Sequence, residues 1–231
     1  HFSLGDPLAG GRRLETRLLV LGARGWAGYT YVWDESQGDA FLIDGRVTRA
    51  VEGGGEHEGQ SATWTFPSRS DCMSCHTEVA GHVLGFTAPQ LERAVAGGGS
   101  QLAALAARGV LGATPATGLK AFPDWRAGTG DPDLLVRAYL DSNCAMCHQP
   151  GGPGNASIDL RWDTPLARMN LVDRRPGQWD LGVLNARLLT PGSPERSLLL
   201  LRMQRTDERG MPIVGHNRPD EVALERVAQW I

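Results

Sequence analysis

Cysteine occurs at four positions only, in two pairs of identical pattern: Cys72-Met73-Ser74-Cys75-His76 and Cys144-Ala145-Met146-Cys147-His148. Two thiols separated by two residues and followed at once by an imidazole can attach and ligate one porphyrin. The thiols add to its two vinyl groups, and the histidine reaches the iron from one side. C-x-x-C-H is the signature of c-type haem attachment. Two copies imply two covalently bound haem c groups, held by Cys72, Cys75 and His76 and by Cys144, Cys147 and His148, with His76 and His148 as proximal iron ligands.

Other chemistries account for less of the pattern. Two structural disulfides would use all four cysteines but would not need a histidine after each pair. A four-cysteine zinc site usually has its pairs about 15–20 residues apart. Here a stretch the size of a small domain separates them, and both histidines would be left without a role. A thioredoxin-like pair needs a βαβ context, which neither site has. Haem attached to such motifs also implies a compartment, the outer side of the energy-conserving membrane, so the chain is expected to be periplasmic or exported.

The elements that must position these groups fall into three stretches: a β-rich segment over 1–67, a first haem unit over 68–127 and a second over 128–231. The expected class is α+β, a β-rich platform followed by mainly helical units. Leu14, Thr16, Leu18 and Val20 alternate as in a half-buried strand. Tyr29 to Trp33 and Ala40 to Ile43 flank a turn cluster, as in a hairpin. A glycine-rich loop, Gly53 to Gly59, precedes a short strand from Thr63 to Phe66 that stops at Pro67. The first motif opens a short helix after Ser70-Asp71. Further helices are expected from Thr87-Ala88-Pro89 to Val95 and from Ser100 to Arg108, the latter closed by Gly109. Gly112 to Gly130 reads as a linker. Asp131-Pro132-Asp133 caps a helix that runs into the second motif, and Gly151 to Gly154 break the chain after it. Ser193-Pro194-Glu195 starts a leucine-rich helix. A last helix, from near Asn217 to Asp220, aligns Ala223, Val227, Trp230 and Ile231 on one face.

Composition narrows the class. Of 231 residues, 41% are apolar, enough for a buried core, and 30 are glycine, which predicts long loops. The formal charge of −3 has no basic block within it, so nucleic acid is not an expected partner. No apolar run reaches the roughly 18 residues of a transmembrane helix. The chain begins with His1, without a signal peptide, and strand-like sequence follows almost at once; further sequence is expected before it.

The arrangement from Asp131 to Ile231 resembles a class I cytochrome c, in which one helix leads into C-x-x-C-H, a loop brings methionine to the far face of the haem, and a closing helix crosses the first. Tyr139, Ala138 and Trp230 suit that crossing. Over nearly its whole length the chain is also similar to a family of bacterial di-haem c-type cytochromes. The resemblance is carried by PSRSDCMSCH, LGFTAPQL, YLDSNCAMCHQPGG, PGSPERSLLLLRM, MPIVG and VAQWI. It implies the architecture more than any particular activity.

The resemblance places Met211, followed by Pro212, as distal ligand of the second haem; a thioether there raises the potential relative to two histidines. The alternative is a core methionine filling a gap. The first haem's distal side stays open among His82, six residues beyond His76 and next to Gly81, His57 in the glycine-rich loop, and a five-coordinate iron. Met203 and His216 enter only if the two units pack together, and surface histidine is the plain alternative for His57 and His82. Arg69, Arg137, Arg161 and Arg202 are candidate partners for haem propionates, with solvated arginine as the alternative. Trp64, Trp125 and Trp162 are candidates for packing against haem edges or for ordinary core positions.

The expected function is single-electron transfer between a redox protein donor and an acceptor, with the chain as a possible subunit or domain of a larger membrane-associated redox complex. A di-haem enzyme such as a peroxidase is the alternative. It would need an open first iron and an acid–base group above it, for which Glu56, His57 and Glu58 are the candidates.

Overall fold

Alternating β-branched and aromatic residues near the start of the chain build two antiparallel sheets in the computed structural model. The structure describes residues 2–4, 11–52, 61–95, 98–112, 118–125, 129–215 and 217–231. Strands β1 (Phe2–Leu4), β2 (Arg12–Gly22), β3 (Gly25–Trp33) and β4 (Ala40–Ile43) form one sheet in that order. Strands β5 (Val47–Glu52) and β6 (Ser61–Phe66) form a second, two-stranded sheet. Local pattern does not announce β1 or β5.

The expected alternation along β2 holds only in part. Against β1 the register jumps from Phe2↔Glu15 to Ser3↔Arg13, so Leu14 is the extra residue of a β-bulge. Leu14 and its neighbour Glu15 are both buried, and Leu14 joins a small core with Val32 and Phe66. Leu18 and Val20, which share the alternation with Leu14 in sequence, are 47% and 45% exposed. Beyond the bulge Arg17 and Leu19 on the opposite face are half-buried, while Leu21 near the strand end is exposed.

Helices follow. α1 (Arg69–Cys75) starts earlier than expected, because Ser68 and Asp71 form a reciprocal capping box. α2 (Ala88–Leu91) is a single turn and ends well short of Val95. α3 (Gln101–Ala107) is capped by the Ser100 side chain, and Gly109 follows it with a positive φ of 68°. α4 (Pro132–Asn143) is capped by Asp131 with proline in its first turn, and stops immediately before Cys144. The second motif is therefore a set of turns after a helix, whereas the first lies on one. A 3₁₀ turn at Pro194–Arg196 leads into α5 (Leu198–Met203), and α6 (Glu221–Trp230) closes the chain behind its Asp220 cap.

The main core sits among these last helices. Val136 and Leu140 of α4, Leu200 and Met203 of α5, and Ala223, Leu224 and Val227 of α6 are buried together with Ile158, Leu160, Met169, Leu171 and Leu189 from the loops. Each fully buried Leu or Val contributes roughly 1.5–3 kcal/mol through apolar burial. α4 and α6 are also tied by the Trp230 indole N–H, which donates to Asp133 Oδ1 at 3.1 Å. The architecture is α+β, with the strands in the first part of the chain and helices after them. No helix among the described residues is long and apolar enough to cross a membrane.

Candidate functional site

The first motif is built onto the larger sheet. Gly28 of β3 has no side chain where one would meet Cys72; an added Cβ would lie 2.4 Å from Cys72 Cβ and 2.8 Å from its Sγ. Glycine is what lets α1 lie directly on the strand. On either side of that contact, the Arg69 guanidinium lies 4.5 Å from the Tyr29 ring centroid, and Arg46 pairs with Asp71. Burial raises the Cys72 thiol pKa, opposed by the Thr30 hydroxyl and the Arg17 charge.

His76 ends this helix. Its Nδ1–H donates to the His82 carbonyl at 2.5 Å, and the His82 Nδ1–H donates back to the His76 carbonyl at 2.9 Å. The first bond selects the tautomer in which Nε2 carries the lone pair, as an iron ligand requires. Trp26 stacks on the His82 ring at 5.5 Å between centroids, 23° from parallel. His82 thus lies beside the His76 backbone. Its Nδ1 bond leaves Nε2 out of that contact, as in His76. His57, Glu56, Glu58 and His216 lie outside the described residues.

At the second motif His148 is half-buried with its Nδ1 out of solvent; desolvation lowers its pKa, opposed by the Ala156 backbone and aided by the nearby Arg202 charge. Desolvation and that charge keep the imidazole neutral, the form that binds a metal. Its buried Nδ1 faces the Ala156 backbone without closing a hydrogen bond of good geometry. Gly154 leaves room for the ring, since a Cβ there would come within 2.6 Å of Nδ1. Desolvation pushes the Cys144 thiol up to about 12.

The two motifs meet. Cys75 Sγ and Cys147 Sγ are 3.9 Å apart, with the Cys147 thiol donating. That donation lowers the Cys75 pKa and raises that of Cys147. Around this junction Val79 lies against Gly151, with a Cβ on Gly151 falling 3.6 Å from Val79 Cγ2, and Gln90 Nε2 donates to Ser142 Oγ at 3.3 Å. Among the described residues, no three His, Cys, Asp or Glu side chains converge as a protein-held metal ion would require.

Arg202 organises the loop after α5. Its carbonyl accepts the Met211 N–H at 3.0 Å, while its guanidinium donates to the carbonyls of Arg209 and Trp179, each at 3.0 Å. Met211 is half-buried at the edge of this cluster, and the Arg202 charge reaches His148. Met203 is buried in the helical core.

The other arginines are occupied locally. Arg137 donates to the carbonyls of Trp162 and Thr164 and pairs with Asp133. Arg161 pairs with Asp159, which its hydrogen bonds and charge hold below the usual carboxylate range. Trp64 donates to Glu15 Oε1 at 3.2 Å within the β segment, and Trp125 packs edge-on against Tyr139. Trp162 is buried against Phe122.

Sequence reasoning missed Gly28, Trp26, Gly154 and the Val79–Gly151 contact. An isolated glycine in an aromatic strand signals close backbone approach, so Gly28 was within reach; the others depend on distant partners. Compared with protein-family models, with curated proteins and with solved structures, the chain matches none.

Proposed function

We propose that this chain is a di-haem c-type cytochrome that passes single electrons between redox partners outside the cytoplasmic membrane, as a domain or subunit of a larger redox complex. The observation that carries the reading is the state of His76: its Nδ1 is committed to a carbonyl, and Nε2 is left as the donor to a metal beside two thiols of fixed spacing. The residues present fit the group. Cys72 and Cys75 would hold the first haem and Cys144 and Cys147 the second, with His76 and His148 as axial ligands. Bound haem iron supplies a one-electron couple whose potential responds to ligand type, burial and hydrogen bonding.

The chain's own residues prepare that couple. His82 and Trp26 hold His76 in one tautomer and orientation, and burial keeps His148 neutral. The second unit is proposed to be class I cytochrome c-like, with α4 leading into its motif, the Arg202-held loop presenting Met211, and α6 crossing α4 through Trp230.

The test is haem stoichiometry on the holoprotein, by pyridine haemochrome and intact mass, together with low-temperature EPR. Two covalent haems with low-spin signals are expected. Absence of covalent haem would sink the reading, and a high-spin signal with rapid peroxide turnover would replace electron transfer by enzymatic chemistry.

A further inference from the structure

We infer that Cys75 and Cys147 form a direct junction between the two haem sites, so that the haems act as one coupled pair. The inference rests on the di-haem reading and goes beyond it, because two attachment motifs in one chain need not touch. Here the two sulfurs are 3.9 Å apart, a distance of van der Waals contact. Both are the second cysteine of their motif, next to the axial histidine, so corresponding edges of the two porphyrins would be joined through adjacent thioether sulfurs.

The surrounding packing makes this junction a built contact. Val79, three residues beyond His76, rests on Gly151, three residues beyond His148, with 3.6 Å from the Val79 methyl to the position a Cβ would take. Gln90 of α2 reaches Ser142, at the end of α4, with a 3.3 Å hydrogen bond. Phe122 N–H bonds the Pro89 carbonyl at 3.0 Å, while its ring packs 4.8 Å from that of Trp162. Val79, Gln90 and Phe122 thus tie the stretch that follows Cys75 to the second unit at three points, which holds the sulfurs together.

Two consequences follow. With both haems bound, Cys75 and Cys147 would offer electrons a direct sulfur–sulfur path between the two sites. An electron added at one site would also lower the electron affinity of the other, because like charges held within one partly desolvated unit repel. A roughly tenfold weaker uptake of the second electron is the expected scale.

The experiment uses the holoprotein and counts its haems first. Fewer than two covalent haems would overturn the di-haem reading itself. With two present, Soret-region circular dichroism is expected to show a bisignate couplet, and a spectroelectrochemical titration should show two mutually dependent one-electron steps. The variant Val79→Trp, at the exposed rim of the junction, should keep both haems and diminish the couplet and the dependence together. Two haems with additive Soret dichroism and independent titration would overturn the junction while leaving the di-haem reading intact. The junction is overturned in the same way if Val79→Trp and Gln90→Ala both leave the wild-type couplet unchanged.

Discussion

His76 and His82 hold each other through two reciprocal hydrogen bonds, each ring Nδ1–H donating to the other residue's carbonyl, at 2.5 and 2.9 Å. His82 adopts a positive φ of 59°, next to Gly81 at 74°, and this left-handed turn brings its carbonyl back onto His76.

Replacing His82 with glycine keeps that turn accessible and leaves the carbonyl in place, while removing the return bond and the stack on Trp26. The first haem is expected to stay attached, with its axial signals in EPR broadened or shifted and those of the second haem unchanged. A change of one haem from low spin to high spin would instead assign His82 as an iron ligand.

Gly28 tests the docking of α1 on the sheet. A Cβ 2.4 Å from Cys72 Cβ forces the helix off the strand, so Gly28→Ala should destabilise the protein by about 1–3 kcal/mol, the usual scale of overpacking. Denaturant unfolding of the holoprotein gives the energy, and intact mass gives the fraction with a first haem. An unchanged midpoint would show that the strand and the helix are not packed in this way.

Met211 and Arg202 separate ligand from support. Met211→Ala is expected to abolish the near-infrared charge-transfer band of thioether-ligated iron and to lower the potential of one haem. Arg202→Ala frees the carbonyls of Arg209 and Trp179, and should weaken the same band without removing it. If Met211→Ala leaves the band intact, another methionine is the ligand.

Asp71 sets an acid limit on α1. The Arg46 hydrogen bond, aided by Ser68, holds its carboxyl at about 2, against burial, which raises it. The folded value lies below the ordinary carboxylate value, so the stabilisation is complete above the unfolded pKa and is lost as pH falls through the folded one. With Arg46 largely in solvent, its scale is about 1 kcal/mol after screening. Asp71→Asn should therefore lower Tm near neutral pH, with the difference from the wild type shrinking as pH falls and vanishing only below about 2; a difference that does not shrink would mean the carboxylate is not the source.

Local chemistry carried much of this site into legibility. The spacing of cysteine and histidine is a covalent requirement, so both motifs were readable without a fold. The caps at Asp131 and Ser100 and the face of α6 bearing Ala223 and Val227 were readable because capping and helical period act over a few residues. The outcome for β2 was not: a bulge at Leu14, defined by pairing with β1, changed which residues are buried.

What the sequence alone determined is the covalent chemistry available, with two C-x-x-C-H motifs and the helices next to them. Tertiary structure decided how those groups meet: Gly28 under Cys72, His82 turned back onto His76, and Cys75 against Cys147. These relations join residues far apart in the chain or depend on a particular backbone turn. They follow from which surfaces pack and how closely, and no periodicity or local propensity encodes that.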